Sequence, residues 1–389
     1  MPRILISTSC RHKPHDQPSG HLFVFNLDKQ KVVRQSEIIE PPYREVDPNP
    51  RGGFRGLKGI SIDGHRIAIA NASTVFVYDH LWNPITYMWH PSCTGIHDIE
   101  LKNDTVWVTS SRNDLLICLD FNGNIIDYYD LRDSPLVKKN AAHQIKPLLH
   151  ERQIINGRWD FRDPRTHDMA ITDSLHINSL VFPDNGDLLV SCGLFRVIKD
   201  RNLHNINNNL KKNSLTRALP KIYQKIEGIK KGSYPENFEA LPISSNKSIS
   251  LLLRISKNGQ HTSSIKLMGC RFPSHSIRIL HDNSAIYLNT SSGEILHFHP
   301  ETDQIYSSTQ IGRTFLRGAR QLPDNTLLIG DNNEMIHYDM NGKQIISKTL
   351  ICEDITEAIF DINILPDDFE LPPISFIDLH KQKLPVHQT

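Results

Sequence analysis

The chain has 389 residues, 44 Lys and Arg against 43 Asp and Glu, a formal net charge of +1 and 20 histidines. Near-balanced charge argues against a nucleic-acid or acidic-membrane partner, and no apolar run is long enough to span a bilayer. Residues 1–7 are too short an apolar segment for a signal peptide, and six scattered cysteines without a CxxC fit reduced thiols, so the expected location is cytoplasmic.

Residues 3–9, 21–27 and 31–38 read as three strands, with a turn at Asp28-Lys29-Gln30. A proline-rich link over 41–53 follows. The glycines at and just after its end, Gly52, Gly53 and Gly56, precede a strand rather than a helix, so they read as a loop and not as a phosphate cradle. The unit 55–88 then carries strands near 57–62, 66–70, 74–79 and 84–89, and the unit 94–131 repeats the pattern near 96–101, 105–110, 115–120 and 124–131. A third unit starts at Leu175, breaks after Gly193, resumes over 249–255 and ends near Leu267. A fourth spans 275–311 and a fifth 317–350, and a last strand covers 357–365.

Four short strands at a period of about forty residues are the signature of a β-propeller. The last strand has no partners after it, and the first three strands lack one before them. Joining them makes a sixth blade from both chain ends and removes two open edges. The expected fold is therefore an all-β, six-bladed β-propeller over 1–366, closed by N- and C-terminal strands, with a tail over 367–389. A seventh blade would have to be hidden in an insertion.

Two insertions, 133–172 and 194–247, interrupt the rhythm. By strand direction both emerge on one face, where the first strands begin, together with the loop 10–20. Long insertions gathered there read as a lid, against the plainer reading of tolerated surface excursions.

First strands line a propeller's channel, so polar residues at their starts converge. The pairs are Arg55/Lys58, His97/Asp98, His176/Asn178, His275/Arg278, Arg317/Arg320 and Glu357/Asp361, with the inward member of each pair left open by the register. His97, His176 and His275 are the candidate catalytic groups, since imidazole serves as nucleophile or general base near neutrality. Arg55, Arg317 and Arg320 would hold an anionic group such as a sulfate, phosphate or carboxylate. No cofactor is required for that reading. The alternative is a transition metal held by His97, His176 and His275, joined by Glu357, Asp98 or Asp361, in a hydrolase, lyase or oxygenase. A third reading is a non-catalytic binding propeller whose polar channel is filled by water. His167 or Arg165, in the first insertion, could reach the pocket, although that segment also reads as a solvated turn. No Cys-His pair stands at an informative spacing for a thiol nucleophile.

The series His97-Asp98-Ile99, Leu175-His176-Ile177-Asn178-Ser179, Arg196 after Leu188-Leu189-Val190-Ser191, and His275 resembles the active-site series of the bacterial arylsulfotransferases. The repeat also resembles the wider six-bladed group that includes the lactonases. The first resemblance implies a six-bladed enzyme that moves sulfuryl groups between phenols without a nucleotide donor. It implies that His275 is transiently sulfated, and that His97, His176, Asn178 and Arg196 bind the sulfuryl oxygens or shuttle protons. The expected partner is a small anionic or aromatic substrate.

Overall fold

A computed structural model describes residues 2–10, 19–37, 56–90, 92–93, 95–140, 175–196, 248–268, 270, 272–312 and 315–376. Among them are six four-stranded antiparallel sheets arranged as a propeller. The closing blade unites β1 (Arg3–Cys10), β2 (His21–Asn26) and β3 (Lys31–Glu37) with the last strand, β24 (Glu357–Leu365). The first blade holds β4 (Ile60–Asp63), β5 (Arg66–Ala70), β6 (Thr74–Asp79) and β7 (Pro84–Trp89). The second holds β8 (Ile96–Lys102), β9 (Thr105–Ser110), β10 (Leu115–Asp120) and β11 (Ile125–Asp130). The third holds β12 (Ile177–Val181), β13 (Leu188–Arg196), β14 (Ser248–Ile255) and β15 (His261–Met268). The fourth holds β16 (His275–Ile279), β17 (Ala285–Asn289), β18 (Glu294–Phe298) and β19 (Ile305–Gln310), and the fifth β20 (Leu316–Gln321), β21 (Leu327–Asp331), β22 (Glu334–Asp339) and β23 (Gln344–Leu350). One short helix, α1 (Pro135–Asn140), follows the second blade.

Burial explains the residue choice. Middle strands lie between neighbouring sheets and are apolar on both faces: Leu327 to Asp331 in β21 are all buried. Outer strands such as β19 and β23 are largely exposed and carry alternating polar side chains. At the hairpins after β6 and β10, Asp79 and Asp120 accept bonds from backbone amides two and four residues on, which is why short Asp- and Asn-bearing turns punctuate the sequence. Six apolar clusters form the core, one at each junction between blades.

Five of the six inner strands carry a bulge, β4 being the exception. Register shifts occur between Ile96 and Ile99, Ile177 and Ser179, His275 and Ile277, Arg317 and Ala319, and on β24 opposite Ser7 and Thr8. A bulge re-aims the side chains around it. Beside these bulges, residues of β8, β12, β16 and β24 are stitched to the next blade. Asp98 Oδ2 accepts from Ser179 Oγ at 2.7 Å and from Leu180 N at 3.2 Å. Ser179 Oγ accepts from Ile277 N at 2.9 Å, and Ser276 Oγ from Gly318 N at 2.9 Å. Asp361 Oδ2 accepts from Ile60 N at 3.0 Å. The circuit is completed by close backbone approach: a Cβ on Gly318 would lie 2.9 Å from Asp361 Cα, and one on Gly59 2.8 Å from Ile99 N. Gly318 also has φ +66°, which a residue with a Cβ adopts at a cost.

Residues 366–376 run back across the junction of the closing and first blades. Phe369 and Phe376 are buried against Tyr78 and Trp82. Trp82 Nε1 donates to the Glu370 carbonyl at 2.8 Å, and Glu37 N to the Ile374 carbonyl at 2.7 Å.

Candidate functional site at the channel mouth

Lys58, His97, His275, Arg317 and Phe360, each the residue just before a stitch, come together at the channel mouth, and Asn178 holds the corresponding position beside the bulge of β12. His176 joins them from two residues before Asn178. It holds φ +50°, an uncommon conformation for a residue with a Cβ and one that gathers at functional sites. The His97 ring centroid lies 4.8 Å from that of His176 and 5.8 Å from that of His275. One nitrogen from each of the three imidazoles lies within 4.8 Å of the others. Phe360 packs edge-on against His97 and His275 at 5.5 and 6.2 Å. Lys58 Nζ sits 4.1 Å from the centroid of the same ring and the Arg317 guanidinium 5.1 Å from it, so one aromatic ring meets two cations.

Burial holds the His97 imidazole well below its ordinary pKa, reinforced by His176 and Lys58. Burial and then Arg317 do the same to His275. Both are neutral at pH 7. The tautomer of His275 follows from counting donors. Thr290 Oγ1 gives its proton to the Leu316 carbonyl at 2.9 Å, so its 3.2 Å contact with His275 Nδ1 is one in which Nδ1–H donates. His275 Nε2 therefore carries a lone pair. It is buried and, among the described residues, has no hydrogen-bond partner. The same holds for His97 Nδ1 and for both amide atoms of Asn178. Asn178 is flush against Gly193, where a Cβ would come within 2.2 Å of its Nδ2. Buried polar atoms without a partner among the described residues, on His97 and His275 and at the adjoining Asn178, mark a place built to receive something polar.

The other expected residues fall elsewhere. Asp98 and Asp361 are the stitching carboxylates, and Arg278 spans them, with contacts of 3.5 Å to Asp98 Oδ2 and 2.5 Å to Asp361 Oδ1. Arg320 was expected with the histidines. It instead lines a second cavity, of about 220 Å³, with Arg278, Glu100, Ser61 and Asn363. The bulge at Gly318 puts Arg317 at the mouth and leaves Arg320 three residues further along β20. Burial, and then repulsion from Asp98, push the Glu100 carboxyl up to about 7 in that cavity. Glu357 bonds Thr8 and His21 within the closing blade. Arg196 ends β13 opposite Ser248, and its side chain lies outside the described residues. Arg55, Arg165, His167, the loop 11–18 and most of both insertions also lie outside them. The chain nonetheless leaves and rejoins the third blade beside His176, whose carbonyl accepts from Gly193 N at 3.0 Å.

Sequence reasoning missed two features. Phe360 reads as core, yet Phe360-Asp361-Ile362 repeats the pattern of His97-Asp98-Ile99 and so occupies the same place on the ring. No cysteine has a histidine at an informative spacing along the chain. The structure brings Cys10, His21 and Glu357 together, with one ligand atom from each within 4.8 Å of the others.

No protein-family model and no curated protein matches the chain. Solved structures do. A protein of unknown function from Bacteroides caccae is 9% identical, with 93% of this chain and 98% of that one covered and a TM-score of 0.50. A chain of the nidogen/laminin complex is also 9% identical, over 94% and 99%, with a TM-score of 0.52. Virginiamycin B lyase from Staphylococcus aureus is 13% identical over 76% and 70%, with a TM-score of 0.41. At such identities the first two show a likeness of fold alone. None of these three is described as an arylsulfotransferase, so the comparisons carry the propeller and not that family. Among the described residues no helix is long and apolar enough to cross a membrane.

Proposed function

We propose that the channel mouth is the active site of an enzyme acting on a small anionic ester, with sulfuryl or phosphoryl transfer through His275 as the reaction. The carrying observation is the neutral His275, whose buried Nε2 has no hydrogen-bond partner among the described residues, in a mouth where Arg317 and Lys58 are the cations acting on it. Cations there attract an oxyanion and keep the imidazole unprotonated, which a nucleophile needs. In the reaction, Nε2 attacks the sulfur or phosphorus and its bond to the ester oxygen breaks. The leaving oxygenate takes a proton from a neighbouring imidazole or from solvent. An acceptor hydroxyl then attacks the N-linked group, gives its proton back to that imidazole or to solvent, and breaks the bond to Nε2, which restores His275. Lys58, Arg317 and Asn178 bind the equatorial oxygens, and Arg196 and Arg55 are further candidates for that role. Phe360 gives an aromatic leaving group an apolar wall.

One observation favours a second reading. Three imidazole nitrogens within 4.8 Å could hold a transition metal with open positions. Lys58 and Arg317 beside them oppose a dication, which ranks this reading second.

The test combines aryl sulfate and aryl phosphate turnover with metal analysis. His275→Ala is expected to abolish turnover, and Arg317→Met to raise the inhibition constant of sulfate or vanadate about 10–100-fold, the worth of a charge-assisted bond. Unchanged turnover in His275→Ala defeats the nucleophile. A stoichiometric metal lost on replacing His97, His176 or His275 selects the second reading. Anion binding that Arg317 governs, with no turnover of any ester, selects a binding propeller.

A further inference from the structure

The closing blade holds a cluster that the channel chemistry does not use. Cys10 ends β1, Glu357 begins β24, and the two are direct cross-strand partners, so their side chains share a face. His21 begins β2 on the other side of β1, and its Nδ1 lies 2.8 Å from Glu357 Oε1. Thr8 Oγ1 donates to the same carboxylate oxygen and accepts from His21 N, holding acid and imidazole in place. Cys10 and Glu357 are 3% and 4% exposed, so thiol and carboxylate are withdrawn from bulk water. The cysteine is not in a disulfide.

A sulfur, an imidazole nitrogen and a carboxylate oxygen within 4.8 Å, each from a different strand, form a donor set for a borderline divalent ion. Their charges also suit it: a thiolate and a carboxylate balance a dication that would otherwise be costly to bury. Thr8 supplies the outer hydrogen bond that metal-binding carboxylates commonly need. The three strands have a second property in common. They are where the two ends of the chain meet, so an ion here ties β24 to β1 and β2 and closes the ring.

We propose that Cys10, His21 and Glu357 bind a zinc-class divalent cation that clamps the closing blade, in a site separate from the channel histidines. Binding forms the metal–sulfur, metal–nitrogen and metal–oxygen bonds. The Cys10 thiol gives its proton to solvent, as does the His21–Glu357 pair any proton that their hydrogen bond holds at the ligating atoms.

Cobalt(II) is the probe, because a thiolate ligand gives a charge-transfer band in the near ultraviolet and three imidazoles do not. Chelator-stripped full-length protein titrated with Co²⁺ is expected to develop that band to one equivalent. The band should persist in a His97→Ala, His275→Ala double variant, vanish in Cys10→Ser, and be bleached by Zn²⁺, which should also raise Tm. Should Cys10→Ser fail to fold, Thr8→Ala serves instead: it keeps the thiolate band but weakens Co²⁺ binding about 10–100-fold. Absence of the band in the wild-type protein, its survival in folded Cys10→Ser, or unchanged affinity in Thr8→Ala overturns the proposal. The double variant also keeps the outcome distinct from that of the channel reading.

Discussion

Two sets of buried ionisable residues oppose one another in their effect on stability. Burial holds His97 and His275 below their ordinary value of 6.5, so the folded protein leaves them neutral where the unfolded chain protonates them. Their contribution is present above about pH 6.5 and is lost as pH falls. Glu100 and Asp98 act the other way. Folding raises them from 4.5 and 3.8 to about 7 and about 6, chiefly by burial. The folded state keeps protons there that the unfolded chain releases, so stability declines as pH rises from about 4 to 7 and is flat beyond. Replacing Glu100 by Gln removes one member of the second set. The variant should match the wild type near pH 4 and exceed it at pH 8 by on the order of 1–3 kcal/mol. Urea unfolding at the two pH values checks this. No gain at pH 8 would mean that Arg278 and Arg320 fully compensate the buried carboxylate.

At the scale of the strand, the bulge is what divides binding from scaffolding. The residues on its two sides differ in role, since His97 faces the mouth while Asp98 stitches, and Phe360 and Asp361 repeat the division. Asp361 takes the Ile60 amide and the Arg278 guanidinium together, so its removal leaves a buried amide and a buried cation short of partners. Asp361→Ala should cost about 3–5 kcal/mol, whereas Ser276→Ala, which loses one neutral bond to Gly318 N, should cost about 1–3 kcal/mol. Chemical denaturation ranks the two, and equal costs would show that the charged stitch has no special weight. The same feature explains what is legible in the sequence. The blades are, because turn residues and alternating apolar strands recur at a fixed spacing. The inward member of each polar pair is not, because a bulge flips it and leaves no composition signal. Arg320 stands three residues beyond Arg317 with the bulge between them, and so lines the adjoining cavity while Arg317 meets the histidines. Phe360 was hidden because a phenylalanine inside an apolar strand looks like core. The cluster of Cys10, His21 and Glu357 was hidden by distance, since His21 and Glu357 are 336 positions apart.

For the whole molecule, the decisive contact is the one between chain ends. β24 pairs with β1 over eight positions, from Arg3 opposite Leu365 to Cys10 opposite Glu357. It also supplies Phe360 to the mouth and Asp361 to the ring of stitches. Residues 366–376 add a different kind of contact, the burial of Phe369 and Phe376 over the adjoining junction. Two truncations separate these. A chain ending at Pro366 loses two buried aromatic side chains worth about 1.5–3 kcal/mol each, so it should unfold at lower temperature yet still in one cooperative step. A chain ending at Asp354 also loses β24. That opens β1 as an unpaired edge, strands Arg278 without Asp361, and leaves a gap in a structure whose every blade is stitched to the next. It should show no cooperative transition and should aggregate. Calorimetry with light scattering distinguishes the two outcomes. A cooperative melt from the shorter chain would mean that five blades hold together on inter-blade packing alone, and that closure serves the channel mouth rather than the fold.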